Sequence, residues 1–300
     1  MKKILCLLFF LVTGISFIFA QTETAATSKK DTTYWKLKGV TGLNLSQTML
    51  ENWSAGGENS AATNVYLNAL LAYAKGHIAW DNNLDTEFGQ VYTTTNKWQK
   101  SADKLNFSSK FGVTRNHKLY YSFLLDFKTQ YAKGYKTIGD SLYISNFIAP
   151  GYLNLALGID YKPSSSFSAF FSPVTGRFIF VLDDYLSDMG AFGVSPGKRS
   201  KAELGAYAKI GINTKLHQNI SLLSTTDFFS AYDHTFGNVM VNWDVLLSMK
   251  ITRYLTSTLN LSLKYDDNTK TMEMLNGAAV QRGARVQFKE MLGIGIAYTF

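Results

Sequence analysis

"QFKEMLGIGIAYTF", residues 287–300, alternates in steps of two, Glu290 and Met291 apart. Phe288, Leu292, Ile294, Ile296, Tyr298 and Phe300 fall on one side, with Gln287, Lys289, Gly293, Gly295, Ala297 and Thr299 on the other. A period of two belongs to a strand, whose successive side chains point to opposite faces. Terminal backbone is ordinarily polar and untied, yet here the apolar face persists to Phe300. The expectation is a strand held in a sheet up to its last residue.

The same alternation recurs along the chain. Val65, Leu67, Ala69, Leu71 and Tyr73 share a face opposite Asn64, Tyr66 and Asn68; Ile78, Trp80, Leu84 and Phe88 oppose His77, Asp81, Asn83, Asp85 and Glu87. Further copies lie at 104–114, 119–131, 152–161, 201–213, 239–250 and 255–265, with weaker ones at 35–45, 167–181 and 220–232. With the final segment this makes about twelve strands. Their lengths, roughly 9 to 13 residues, are those a tilted strand needs to cross a bilayer.

Alternation alone does not separate a soluble sandwich, apolar inside, from a membrane barrel, apolar outside. The connections do. Those at 74–76, 115–118, 162–166, 214–219 and 251–254 are short, while 46–63, 89–103, 132–148, 182–200 and 266–285 are long and 233–238 is intermediate. Short links alternating with a second set of which five of six are long predict an outer-membrane barrel with short periplasmic turns. Aromatics near the strand ends, such as Trp35, Tyr73, Trp80, Phe88, Tyr131 and Tyr265, suit the two bilayer interfaces. The predicted fold class is all-β, a transmembrane antiparallel barrel of about 12 strands, whose last strand pairs with its first because a barrel keeps no edge.

The N-terminus fits that destination. Lys2 and Lys3, the apolar run Ile4 to Phe19 and small Ala20 before Gln21 have the layout of a cleaved secretory signal. The expected organisation is a signal at 1–20, a polar periplasmic leader at 21–33 and the barrel at 34–300. Cys6 would leave with the signal, so no disulfide or thiolate chemistry remains. Removing Lys2 and Lys3 from the 30 basic residues leaves 28 against 22 acidic ones, a net charge of +6. That excess is spread along the chain without the dense basic cluster of a nucleic-acid footprint, so no nucleic-acid partner is expected.

Three stretches carry a family resemblance: "SQTMLENWSAGGENS" at 46–60, "SNFIAPGYLNLALGIDYKPSSSFSAFFSPVTGR" at 145–177 and "VNWDVLLSMKITRYL" at 241–255. They resemble a family of unknown function from Bacteroidota-type bacteria, predicted to be outer-membrane barrels. The resemblance spans nearly all of the mature chain, most specifically at Asn52-Trp53 and Gly56-Gly57-Glu58-Asn59. It implies location and architecture, and supplies no catalytic or binding residue. The closing pattern of Gly295, Tyr298 and Phe300 also resembles the terminal signal read by the barrel-assembly machinery.

Chemistry can sit in two places. The alternation turns Asp81, Asp85, Glu87, Lys110, Asp126, Lys128, Asp160, Glu203, Lys209, Asp227, Asp244, Lys250, Lys264 and Lys289 away from lipid. Charges of both signs either line a narrow solute path or pair across the lumen and close it. The path residues singled out are Asp81, Asp85, Glu87, Asp126, Lys128 and Asp244, with the first three, on one strand face, setting cation preference. The first long loop, with Asn52, Trp53, Gly56, Gly57, Glu58 and Asn59, either captures a sugar or peptide or simply folds into the barrel mouth.

No enzyme, cofactor or metal site is expected. His77, His117, His217 and His234 meet no serine in a spaced signature such as G-x-S-x-G, and no loop has the regular carboxylate spacing of a calcium site. An outer-membrane hydrolase is the least supported reading. The favoured one is a passive channel for a small polar solute. The alternative is a closed barrel that docks an envelope partner protein or lipopolysaccharide through its loops, where Lys198, Arg199, Lys201, Arg282 and Arg285 face acidic lipid heads.

Overall fold

The computed structural model describes residues 33–51, 58–135, 141–252, 254–268, 270–275 and 278–300. Twelve strands form the wall: β1 (Trp35–Thr48), β2 (Ser60–Lys75), β3 (Ile78–Thr93), β4 (Lys97–Thr114), β5 (Leu119–Thr129), β6 (Gly151–Ser164), β7 (Phe167–Phe180), β8 (Ser200–His217), β9 (Ile220–Ala231), β10 (Met240–Lys250), β11 (Leu255–Asp266) and β12 (Gln287–Thr299). Each pairs antiparallel with its neighbours in sequence, and β12 closes on β1. Two small hairpins lie outside the wall, Gly134–Tyr135 with Tyr143–Ser145 and Lys270–Leu275 with Ala278–Ala284.

The burial pattern is inverted relative to a soluble protein. Outward-facing Tyr121, Leu157 and Leu292 are 78%, 62% and 70% exposed, whereas inward-facing Asp160 and Thr258 are 0% exposed. An apolar exterior around a polar interior minimises free energy only when the surrounding solvent is hydrocarbon. Trp35, Tyr73 and Trp80 cluster outside the wall near the short turns, with ring centroids 5.0 and 5.7 Å apart. Phe88 meets Tyr131 edge to face at 6.4 Å nearer the long loops. These are the two interfacial levels where amphipathic rings settle.

One expected long connection is absent. Residues 89–103 are mostly strand, because β3 runs to Thr93 and β4 starts at Lys97, leaving a turn at 94–96. Pairing continues through Gln90↔Lys100 and Tyr92↔Trp98, after a bulge beyond Gly89. Residues such as Gln90, Thr93, Lys97, Gln99 and Ser101 are polar on both faces. With Gln90 and Lys100 on one face and Thr93, Lys97 and Gln99 on the other, the hairpin shows no alternation to read.

A bulge decides which way β7 points. Leu157 pairs with Val174 and Ile159 with Phe171, so Ser172 and Pro173 together oppose Gly158. The extra residue turns Thr175, Arg177 and Ile179 inward after Phe170 and Ser172. Proline, which has no N–H to give to a ladder, is at home in such a bulge. The loosened groups find partners: the Ser172 hydroxyl donates to the Leu157 carbonyl at 2.7 Å, and the Tyr232 hydroxyl to the Pro173 carbonyl at 2.7 Å.

Two long loops pack over the β6–β7 end of the wall. Val181, Leu186 and Val194 bury against Ala149 and Ile179. Asp183 caps helix α1 (Asp184–Asp188), accepting from the Leu186 N–H at 3.1 Å. The same carboxylate accepts from the Asn146 amide at 2.8 Å and the Tyr143 hydroxyl at 3.0 Å, which ties the loops together.

Candidate functional site: the charged lumen

Alternation aims the charges inward, and barrel curvature brings distant strands face to face. On β5, Asp126 pairs with Lys209 of β8, and Lys128 pairs with Asp227 of β9 while lying 3.7 Å from Asp126. Asp227 also accepts from the Asn242 amide at 3.0 Å. Lys110 of β4 meets Asp160 of β6 at 2.8 Å, and Lys162 pairs with Asp81 and lies 3.4 Å from Asp160. Charges in such a site persist because each is paired or hydrogen-bonded.

The three carboxylates of β3 do not form a free acidic patch. Asp81 meets Lys162, Asp85 meets Lys104 at 2.8 Å, and Glu87 accepts from the Asn64 amide at 2.9 Å with Lys289 at 3.9 Å. Asp244 accepts from the Ser262 hydroxyl and lies within electrostatic reach of Lys104, Lys128 and Lys264. The structure therefore joins Asp85, Glu87, Asp126, Lys128 and Asp244 around one cavity of about 90 Å³, with Asp81 outside its lining.

The lumen is filled unevenly. Leu124, Ala156, Phe170, Tyr207, Phe229 and Ala231, from β5 to β9, form a buried cluster inside the barrel. Arg177 stacks over Phe229 at 4.9 Å and Tyr152 at 5.0 Å. Beside this packed half, the Asp85 and Lys104 side chains each keep 25% of their surface accessible, against 3% for Asp126.

Sequence reasoning missed Lys104, Lys162 and Arg177, together with the apolar cluster. Lys104 and Tyr207 were available to it: Lys104 shares the face of Lys110 on β4, and Tyr207 lies opposite Ala206 and Ala208 on β8. Lys162 is hidden because β6 continues to Ser164 through what reads as a turn, and Arg177 because the β7 bulge flips its face.

The loop residues divide. Asn52, Trp53, Gly56 and Gly57 lie outside the described residues. Glu58 accepts from the Thr95 N–H at 3.0 Å and the Thr94 hydroxyl at 3.2 Å, so its carboxyl is held below the usual range by Thr95 above all. Asn59 accepts from the Leu50 N–H through its side chain. Both contacts fasten the loop. Of the surface cations, Arg199 pairs with Asp184, and Lys201 with Glu203 at 2.7 Å. His77 and His117 stack at 5.9 Å between neighbouring short turns. Gly295 pairs with Asn44, Tyr298 with Thr41, and Phe300 stacks on Tyr298 at 6.1 Å.

A closed antiparallel ring of twelve strands, apolar without and charged within, is the architecture of an outer-membrane β-barrel. Residues 45–135 of the chain match the family described as "Protein of unknown function (DUF3078)". No curated protein matches the chain. Among solved structures it is similar to the COG4313 outer membrane channel from Pseudomonas putida F1, at 12% identity and TM-score 0.38, over 92% of this chain and 100% of that one. It is also similar to the translocator domain of the autotransporter NalP from Neisseria meningitidis, at 10% identity and TM-score 0.35, over 90% of each chain.

Proposed function

We propose that the protein resides in the outer membrane of a Gram-negative cell and lets a small polar solute pass selectively through its lumen. In this reading residues 1–20 are a cleaved signal, 21–33 a periplasmic leader, and the short turns face the periplasm. Gly295, Tyr298 and Phe300 serve as the signal for the assembly machinery. The observation that carries the reading is the polar cavity beside the packed half of the lumen, lined by Asp85, Lys104, Asp244 and Lys289. Alternating charges that can exchange partners offer a polar solute successive weak sites, which conduction requires.

A second reading rests on a separate observation. Lys128–Asp227 and Lys209–Asp126 brace β5 against β8 and β9, as they would in a closed barrel that docks an envelope partner or lipopolysaccharide. Single-channel recording of residues 21–300 in a planar bilayer separates the two. Discrete conductance steps support passage; a folded, silent barrel favours docking.

A further inference from the structure

The two ends of the barrel differ in charge. Within five residues of the short links at 74–76, 115–118, 162–166, 214–219 and 251–254 the sequence has two side-chain carboxylates, Asp81 and Asp160. Both are engaged: Asp81 pairs with Lys162, while Asp160 meets Lys110 at 2.8 Å and lies 3.4 Å from Lys162. The long links carry both signs instead, as Asp183, Asp184, Lys198 and Arg199 do in 182–200.

Four further lysines stand at this short-turn mouth and face the lumen. Residues directly opposite in an antiparallel ladder share a face, and the register ties each lysine to an inward position. Lys36 opposes Ala72, which opposes Asp81; Lys38 opposes Leu70, which opposes Asn83 in the lining of the central cavity. Both lie on β1 beyond its last bonds to β12, those between Gly39 and Phe300. Lys215 opposes Ser221 and through it the buried Ser248, and Lys250 opposes the buried Thr256. All four lysines are exposed, and among the described residues none has an ion-pair partner.

Charges of one sign around a low-dielectric opening focus the field and concentrate counter-ions there, and rings of lysine favour anions and phosphates in pores. We infer that the short-turn mouth is a binding vestibule for a small polyanion, a free solute with several phosphate or carboxylate oxygens. The ammonium groups of Lys36 and Lys38 reach it from β1, and those of Lys215 and Lys250 from β8 and β10, with Asp81 and Asp160 already engaged. Lys38, in register with Asn83, marks where the vestibule continues into the central cavity. Such binding needs the barrel but not conduction, and so goes beyond the passage proposed above.

The test is a phosphorus NMR titration of inorganic pyrophosphate with the full barrel, refolded in maltoside micelles that carry no phosphate of their own. The pyrophosphate line should broaden saturably at low salt. Changing Lys36, Lys38, Lys215 and Lys250 together to Gln should weaken binding about tenfold or more, whereas changing the same four to Arg should preserve it. Neutralising Lys75, Arg115 and Lys118, cations of the turns outside this set, should leave binding nearly unaltered. A folded barrel that leaves the line unbroadened, or an equal loss from the Lys75, Arg115 and Lys118 set, would overturn the vestibule. Conductance distinguishes the two readings: a barrel that passes ions without binding pyrophosphate keeps passage and loses the vestibule, and a silent barrel that binds it does the reverse.

Discussion

Lys128 on β5 and Asp227 on β9 meet as an ion pair inside the barrel, across the lumen from one another's strands. Breaking a buried pair by removing one partner costs about 3–5 kcal/mol, more than replacing both by neutral groups. Asp227→Asn leaves Lys128 with Asp126, at 3.7 Å, as its remaining ion-pair partner among the described residues. Its urea unfolding midpoint in lipid vesicles should fall well below that of the double variant Lys128→Met, Asp227→Asn. Equal losses in the two variants would mean that the pair does not brace the lumen.

The β3 carboxylates make a prediction about sign. Lys104 has Asp85 as its ion-pair partner and Lys289 has Glu87, whereas Lys162 keeps Asp160 when Asp81 is neutralised. Changing Asp81 and Asp85 to Asn and Glu87 to Gln therefore takes the ion-pair partner from two lumen lysines and removes three negative charges. The reversal potential in a salt gradient should shift towards anion preference. An unchanged potential would take all three residues off the solute path.

What the sequence discloses follows where its faces meet different solvents. Twelve strands and their closure are legible because the wall strands are apolar on the lipid side and, apart from the cluster around Phe170, polar within. The hairpin around Thr94 and the inward turn of Arg177 are not. Residues wet on both sides carry no period, and a bulge reverses the period midway. The charged residues of the lumen are legible one by one, but their partners are not: nothing in sequence spacing relates Lys128 to Asp227, since curvature alone brings their strands together. The end of β1–β12 pairing at Asn44↔Gly295 is equally silent, because Leu45 and Ile294, next in register, alternate like paired residues.

The β7 bulge has a testable glycine. A Cβ on Gly158 would lie 2.0 Å from the Phe171 carbonyl oxygen, a backbone atom that cannot move aside alone, whereas Gly211 on β8 has nothing within 4 Å. Overpacking a tight site costs about 1–3 kcal/mol, occasionally more. Gly158→Ala should lower the unfolding midpoint of the refolded barrel, and Gly211→Ala should leave it nearly unchanged. If Gly158→Ala matched Gly211→Ala, the bulge would not be what fixes Arg177 against Phe229.

Asp183 makes the packed loops sensitive to acid. Burial alone would raise its carboxyl, but hydrogen bonds from Asn146, the Leu186 N–H and Tyr143 outweigh it and hold the group below the usual carboxylate range. A folded value below the unfolded one, ordinarily about 3.9, gives stabilisation that is complete above the unfolded value. It is lost as pH falls through the folded value. Hydrogen exchange at Leu186 and Ser187, corrected for its intrinsic pH dependence, should be constant from neutral pH to about 5 and accelerate below about 4. Asp183→Ala should lose protection already at pH 7, roughly 2- to 30-fold, the range expected for a missing helix cap. Unaltered exchange in that variant would show that the apolar packing of Val181, Leu186 and Val194 holds the loops without the carboxylate.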